Sequence, residues 1–106
     1  MGGRGASASQ TNKKEINAVY EYAEKRAGGR IGANTKAYDY ALNNATEVRI
    51  YNRDTGTMDK TTREKMKEDI SRFGRGKYGF EMWKSGENEF TVYYSSNDFY
   101  DFKLKR

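Results

Sequence analysis

Hydrophobic positions change their spacing along the chain, from helical in the first part to alternating in the last part. Apolar residues recur every three or four positions from Ile16 to Ala27, which predicts a first helix. The same spacing from Ala37 to Ala45 predicts a second helix, and that over residues 61–73 predicts a third. Three helices are therefore expected.

Strands are predicted where apolar and polar residues alternate. Residues 47–53 carry this pattern once, and residues 78–83 and 90–94 carry it on both sides of a short turn, which is typical of a β-hairpin. The tail, residues 99–106, adds a possible closing strand. The sequence thus predicts an α+β fold, with an antiparallel sheet of three to four strands, three helices and the order α-α-β-α-β-β-(β).

The beginning of the chain differs in composition from the rest. Residues 1–10 consist mainly of Gly, Ala and Ser and show no hydrophobic periodicity. We therefore expect residues 1–10 to form a flexible N-terminal arm. Residues 11–106 have the length of one ordinary domain and are expected to form a single α+β domain.

The chain contains neither cysteine nor histidine. Disulfides, thiol nucleophiles, imidazole bases and the usual zinc sites are therefore excluded. We expect a protein that binds rather than catalyses and that needs no cofactor. Because no apolar run has the length of a signal peptide or a membrane span, we expect it in the cytoplasm, with no membrane partner.

The net charge of +5 is unevenly distributed. Residues 1–36 hold seven Lys or Arg against three acids, and residues 59–77 hold seven against four. Such basic blocks favour nucleic acid or acidic partners. The alternative interpretation is that they are the solvated faces of helices.

A mixture of cationic and aromatic residues follows the third predicted helix, and this combination suits single-stranded nucleic acid. The predicted binding residues are Arg63, Lys67, Arg72, Arg75, Lys77, Tyr78 and Trp83. Alternatively, Tyr78 and Phe80 belong to the core and Trp83 is a half-exposed surface residue.

Two glycine-rich strings, GGRGA at residues 2–6 and GGRIG at residues 28–32, resemble fragments of the arginine-glycine repeats that bind RNA. Arg4 and Arg30 are therefore further candidate phosphate contacts. The alternative is that these strings are an unfolded start and the end of a helix.

An enzymatic interpretation depends on carboxylates and a lysine. Asp101 and Lys103 lie two residues apart on the last predicted strand, with Glu89 and Asp98 upstream. Some metal-dependent nucleases hold Mg²⁺ with such acids while a lysine supports the attacking water. The alternative is that the pair occupies the solvent side of an edge strand.

The opening residues MGGRGAS resemble the start of many small proteins carried by phages and prophages of Gram-positive bacteria. The resemblance implies a protein that assembles virions, regulates phage genes or blocks host defences such as CRISPR systems. We expect a phage-borne, non-enzymatic inhibitor, similar to anti-CRISPR proteins. Its partner would be a host defence nucleoprotein or its RNA or single-stranded DNA. A virion-assembly or other structural interaction protein, and a small metal-dependent nuclease, are the alternatives.

Overall fold

The computed structural model describes residues 2–73 and 82–105, with side chains from residue 13 onward. Three α-helices and six β-strands follow one another in this part of the chain. In chain order they are α1 (Gly2–Glu24), β1 (Arg30–Ile31), α2 (Lys36–Asn43), β2 (Thr46–Asn52), β3 (Thr57–Lys60), α3 (Arg63–Phe73), β4 (Met82–Lys84), β5 (Glu89–Tyr93) and β6 (Phe99–Lys103). A single turn of 3-10 helix, Ala27–Gly29, joins α1 to β1.

The six strands form one antiparallel sheet in the order β1-β4-β5-β6-β2-β3. The α+β class is confirmed, whereas the prediction of three to four strands is corrected to six. The predicted element order is also incomplete, because β1 and β3 are missing from it. Both are edge strands. β1 has only two residues, and the four residues of β3 include a single apolar side chain, so neither carries an alternating pattern.

Side chains alternate between the two faces of the sheet. On β5 and β6, the fully buried Phe90, Val92, Tyr100 and Phe102 belong to the same core as the buried residues of all three helices. The helices therefore lie on one face. The intervening residues of these strands are only partly buried and lie on the opposite side, which we call the open face.

Tyr20 joins the first helix to the end of the sheet. Its ring packs edge-on against Phe90, with 5.6 Å between the ring centroids. Its hydroxyl donates a hydrogen bond of 3.2 Å to the carbonyl oxygen of Leu104. The buried phenol is thus satisfied while its ring fills the core.

The other two helices also bury one stripe each. α2 begins after Thr35, whose Oγ1 accepts a hydrogen bond from the backbone N–H of Tyr38, as an N-cap residue does. Tyr38 and Ala41 are fully buried. From α3, Met66 and Ile70 enter the same core, which places this helix over the helical face of the sheet.

Two glycines turn the chain from α1 into the sheet. Gly28 and Gly29 both have a φ of 70°, a conformation that costs little without a Cβ atom. A Cβ atom on Gly29 would lie 2.8 Å from Cβ of Lys84. The glycine therefore permits the close approach of this turn to β4.

Two expectations about chain organisation stay predictions. The expected flexible arm, residues 1–10, precedes Lys13, the first residue whose side chain is described. The division into an arm and a domain therefore stays a prediction. The strand expected from residue 78 is described only from Met82, since residues 74–81 lie outside the described residues. Within the described part of the chain, no helix has an apolar stretch that could cross a bilayer.

Candidate nucleic-acid interface

The predicted binding residues do not form one cluster in the structure. Arg75, Lys77 and Tyr78 lie outside the described residues, so their role stays a prediction. Three others lie on α3, which packs on the helical face. Trp83 lies on β4 and alternates with the fully buried Met82, so it occupies the open face. The structure therefore separates Trp83 from the cations of α3 by the thickness of the sheet.

Two of the three predicted cations on α3 contact other groups of the chain. Arg63 Nη1 donates a hydrogen bond of 3.0 Å to the carbonyl oxygen of Asn43. Arg72 Nη2 lies 2.8 Å from Glu68 Oε1, four residues earlier on the same helix. Lys67 is exposed. An anionic ligand on α3 would therefore compete with Glu68 for Arg72.

A groove at the β1 edge of the sheet brings together cationic and aromatic side chains. The end of α1, the turn after it, β1 and β4 each contribute to its wall. We call it the edge groove, and it is lined by Tyr22, Arg26, Ala27, Arg30, Gly32 and Trp83. The groove thus contains one predicted binding residue, Trp83, and one further candidate, Arg30.

Arg26 lies two residues beyond the end of α1, with an extended backbone, and its side chain is held over the ring of Tyr22, four residues earlier. Its Cζ atom is 3.5 Å from the ring centroid, a distance typical of a cation-π contact. Its Nη1 also donates a hydrogen bond of 3.1 Å to the carbonyl oxygen of Tyr22. This hydrogen bond uses one of the five N–H donors of a guanidinium. The contacts position the charge and leave most of its donors for a ligand.

Trp83 packs against β1 and against the turn that precedes it. The antiparallel register pairs it with Arg30, whose Cζ atom lies 6.0 Å from the indole centroid. At Gly28 an added Cβ atom would come within 3.2 Å of Cζ3 of the indole, so the glycine leaves room for the ring. The residue still has 37 % of its surface exposed. A flat ligand could therefore stack on an indole that is already held in place.

The charge of the edge groove distinguishes it from three other grooves on the described surface. A groove between α1 and α2 contains Glu15, and a groove beside β2 and β3 contains Glu47 and Glu64. A third, on the open face, contains Glu89 and Asp101. Among the residues that the structure describes, the wall of the edge groove contains two guanidinium groups and no carboxylate. Its chemistry therefore suits an anionic ligand with a flat ring.

The carboxylate and lysine pair of the nuclease hypothesis lies on the open face. Cross-strand pairing brings Glu89 opposite Lys103, and Asp101 Oδ1 accepts a hydrogen bond of 2.6 Å from Thr91 Oγ1. β6 lies between β5 and β2, so the alternative interpretation of this pair as the solvent side of an edge strand is wrong. Among the described residues, no group of three or more acidic, His or Cys side chains could hold a metal ion.

Sequence reasoning did not single out Tyr22 and Arg26. Both lie off the apolar stripe of the first helix, and their four-residue spacing was the only local signal of a contact. Their proximity to Trp83 follows from the pairing of β1 with β4, which joins segments about fifty residues apart.

Comparisons with protein-family models, with curated proteins and with solved structures found no match.

Proposed function

We propose that this chain is a non-enzymatic binding protein whose edge groove contacts single-stranded nucleic acid. The observation that carries the proposal is the presence of two guanidinium groups and a partly exposed indole in one groove whose described wall contains no carboxylate. Guanidinium groups neutralise phosphates, and an indole stacks on the face of any base.

The two kinds of contact have different energetic consequences. Stacking of a base on an aromatic ring contributes about 1–3 kcal/mol and depends little on sequence. Each phosphate that is neutralised on a single strand adds about 0.7 to the slope of log affinity against log salt. In this proposal Trp83 supplies stacking, whereas Arg26 and Arg30 account for the salt dependence.

The biological setting of the proposal comes from the opening residues MGGRGAS, which resemble phage proteins. A phage-borne protein that binds single-stranded nucleic acid could block a host defence effector at its guide or target strand. We therefore propose inhibition of a host nucleic-acid-dependent defence as the outcome of the contact. A basic chain suits this mode, because a protein that mimics DNA needs an acidic surface.

Two double variants that remove the same charge test the position of the interface. Arg26→Ala with Arg30→Ala should lower the affinity for single-stranded oligothymidine by about tenfold or more and flatten its salt dependence. Lys67→Ala with Arg72→Ala should change the affinity and its salt dependence only slightly. Since Trp83 is the only tryptophan, its fluorescence quenching measures stacking directly, and anisotropy of a labelled strand measures affinity.

Each result of this comparison has a distinct meaning. A larger loss in the Lys67 and Arg72 variant would place the interface on α3, where the sequence predicts it. Equal losses of affinity in the two double variants would show that net charge alone determines binding. No binding by the unaltered protein at low salt would contradict the proposed function itself.

A further inference from the structure

A row of apolar side chains on the open face crosses four neighbouring strands of the sheet. Cross-strand pairing places Tyr93 of β5 opposite Phe99 of β6, and it places Tyr51 of β2 opposite Met58 of β3. The rings of Tyr51 and Phe99 stack with 4.9 Å between their centroids, which joins the two pairs into one row. All four side chains are only partly buried, whereas the helices bury their apolar residues against the other face. The row is therefore an apolar strip that the described helices do not cover.

Beside this row, the two central strands carry charges in opposite order. On β6, Asp101 is the next open-face residue after Phe99, and Lys103 is the one after that. On β2, Arg49 pairs with Asp101. Glu47 lies beyond it, and its Oε2 atom is 3.9 Å from Nζ of Lys103. The open-face residues of β6 are therefore aromatic, acidic and basic in turn, whereas those of β2 are aromatic, basic and acidic.

The position of Glu47 depends on an irregularity of β2. The register of β2 against β6 shifts between Thr46 and Arg49, as at a β-bulge, and Glu47 has a φ of 50°. This left-handed conformation is uncommon for a residue with a Cβ atom, and bulges re-aim side chains. Val48 is buried in the core, whereas Glu47 lines the groove of the open face together with Lys103. The backbone therefore helps to place this carboxylate beside the lysine.

Two strands with opposite charge order make the open face complementary to itself under a two-fold rotation. The rotation axis would run parallel to the strands, midway between β6 and β2. It would bring β6 of one copy over β2 of the other, with the two sheets packed face to face. Asp101 would then face the partner's Arg49. Lys103 would face the partner's Glu47, and each of these contacts would occur twice.

The same axis brings the apolar rows together and leaves the edge groove outside. β5 and β6 lie on one side of the axis and β2 and β3 on the other, so these four strands would cover their counterparts in the second copy. Phe99 would meet the partner's Tyr51, and Tyr93 would meet the partner's Met58. Because β3 is the edge of the described sheet, β1 and β4 would extend past the partner. Trp83, which lies on β4, therefore stays accessible to a ligand.

We propose that the open face binds a second copy of this chain in a two-fold symmetric dimer. An apolar row beside paired charges matches the apolar core and polar rim of protein interfaces. The charges of the two central strands also cancel, since each strand carries one acid and one base there. The contact spans four strands about 4.8 Å apart and three side-chain levels about 7 Å apart, which is small for an interface. The dimer is therefore weak and dissociates on dilution.

Charge reversal across the axis tests the dimer, with its dissociation constant measured by sedimentation velocity over a range of about 10–500 µM. Asp101→Arg and Arg49→Asp each place like charges opposite one another at two positions of the interface. Each should therefore raise the dissociation constant by about tenfold or more. An equimolar mixture of the two variants should dimerise again, because every pair across the axis is then opposite in sign. Within each variant chain the neighbouring charges remain alike, so this recovery can come only from contacts between chains.

Lys67→Asp on α3 is the matched control, since it changes the net charge as much as Arg49→Asp does but lies away from the open face. It should leave the dissociation constant unchanged. A chain that stays monomeric over the whole range would contradict the proposal and leave the open face to a partner of another kind. A dimer that the two reversals do not weaken, or that mixing does not restore, would use another surface and would also overturn it. If Asp101→Arg does not fold, Lys103→Glu and Glu47→Lys apply the same mixing test to the second pair of charges.

Discussion

Asp69 is a buried charged residue, with 5 % of its surface exposed. Its carboxylate accepts a hydrogen bond from the hydroxyl of Tyr100, and Lys65 Nζ lies 3.4 Å from its other oxygen. Burial of a carboxylate is costly unless it is hydrogen-bonded or paired, and here it is both. The contact joins α3 to β6 through the core, so these two side chains fix where the helix sits on the sheet.

The pH dependence of stability should report on Tyr100. Burial raises the pKa of its hydroxyl, and the hydrogen bond to Asp69 raises it further. Above about pH 10 an unfolded tyrosine loses its proton while the folded Tyr100 keeps it, so the unfolded state binds fewer protons. The resulting stability is complete below that pH and is lost as pH rises further. Urea denaturation should therefore show a falling free energy of unfolding above about pH 10.

Tyr100→Phe is the control for that measurement. It should cost about 1–3 kcal/mol at neutral pH, because it removes one hydrogen-bond donor from the buried Asp69. It should also reduce the fall in the free energy of unfolding at high pH, leaving the part that comes from the raised pKa values of Tyr40 and Tyr94. Parallel pH curves for the two proteins would contradict this assignment.

At the scale of elements, hydrophobic spacing predicted most of the fold. The three helices and the strands β2, β5 and β6 all follow an apolar pattern that the core explains, because each buries one stripe or one face. The edge strands β1 and β3 could not be predicted, since backbone pairing with a neighbour, rather than side-chain burial, defines them. The same limit applies to the edge groove. Trp83 was predicted as a binding residue from the cationic and aromatic residues near it in the sequence. The residues that line the groove with it could not be predicted, because they depend on the pairing of β1 with β4.

The turn between α1 and β1 allows a test with a built-in control. Gly29 and Gly56 share a φ of 70°, but an added Cβ atom at Gly56 has open space around it, whereas at Gly29 it would lie 2.8 Å from Cβ of Lys84. Gly56→Ala should cost about 1–2 kcal/mol for the backbone conformation alone. Gly29→Ala should cost at least about 1 kcal/mol more, because the turn and β4 must move apart.

Urea denaturation of both variants measures this difference. Gly29→Ala should also shift the fluorescence of Trp83, which neighbours Lys84 on β4, while Gly56→Ala should not. Equal losses of stability and unchanged fluorescence in the two variants would mean that the turn yields freely and does not hold the edge groove in shape.

At the scale of the whole molecule, the two faces of the sheet differ in chemistry. The open face carries a row of aromatic rings across three central strands. Tyr51 stacks on Phe99 with 4.9 Å between centroids, and Tyr93 lies 5.2 Å from Phe99 on the other side. Carboxylates and cations alternate beside this row, as in the pair of Asp101 and Arg49. A polyanion gains little from such mixed charge, so the row is unsuited to a phosphate backbone.

Removing rings from the open face should therefore leave nucleic-acid binding unchanged. Tyr51→Thr and Tyr93→Thr keep residues that favour strands, and each should change the affinity for single-stranded oligothymidine by less than about twofold. The comparison is Trp83→Leu, which should lower that affinity by about fivefold or more. A comparable loss from the open-face variants would place the strand across the sheet. If the chain instead acts in virion assembly, these open-face changes should weaken assembly.

The central position of β6 also affects how the sheet folds. It is hydrogen-bonded to β5 on one side and to β2 on the other, and Tyr100 pairs with Ile50, fifty residues earlier in the chain. Contacts so distant in sequence form slowly, because the intervening chain must first be brought together. Without β6 the described strands would form two separate groups, β1-β4-β5 and β2-β3, each with an unpaired edge. The sheet is therefore completed only when Phe99–Lys103, near the end of the sequence, pairs with both groups.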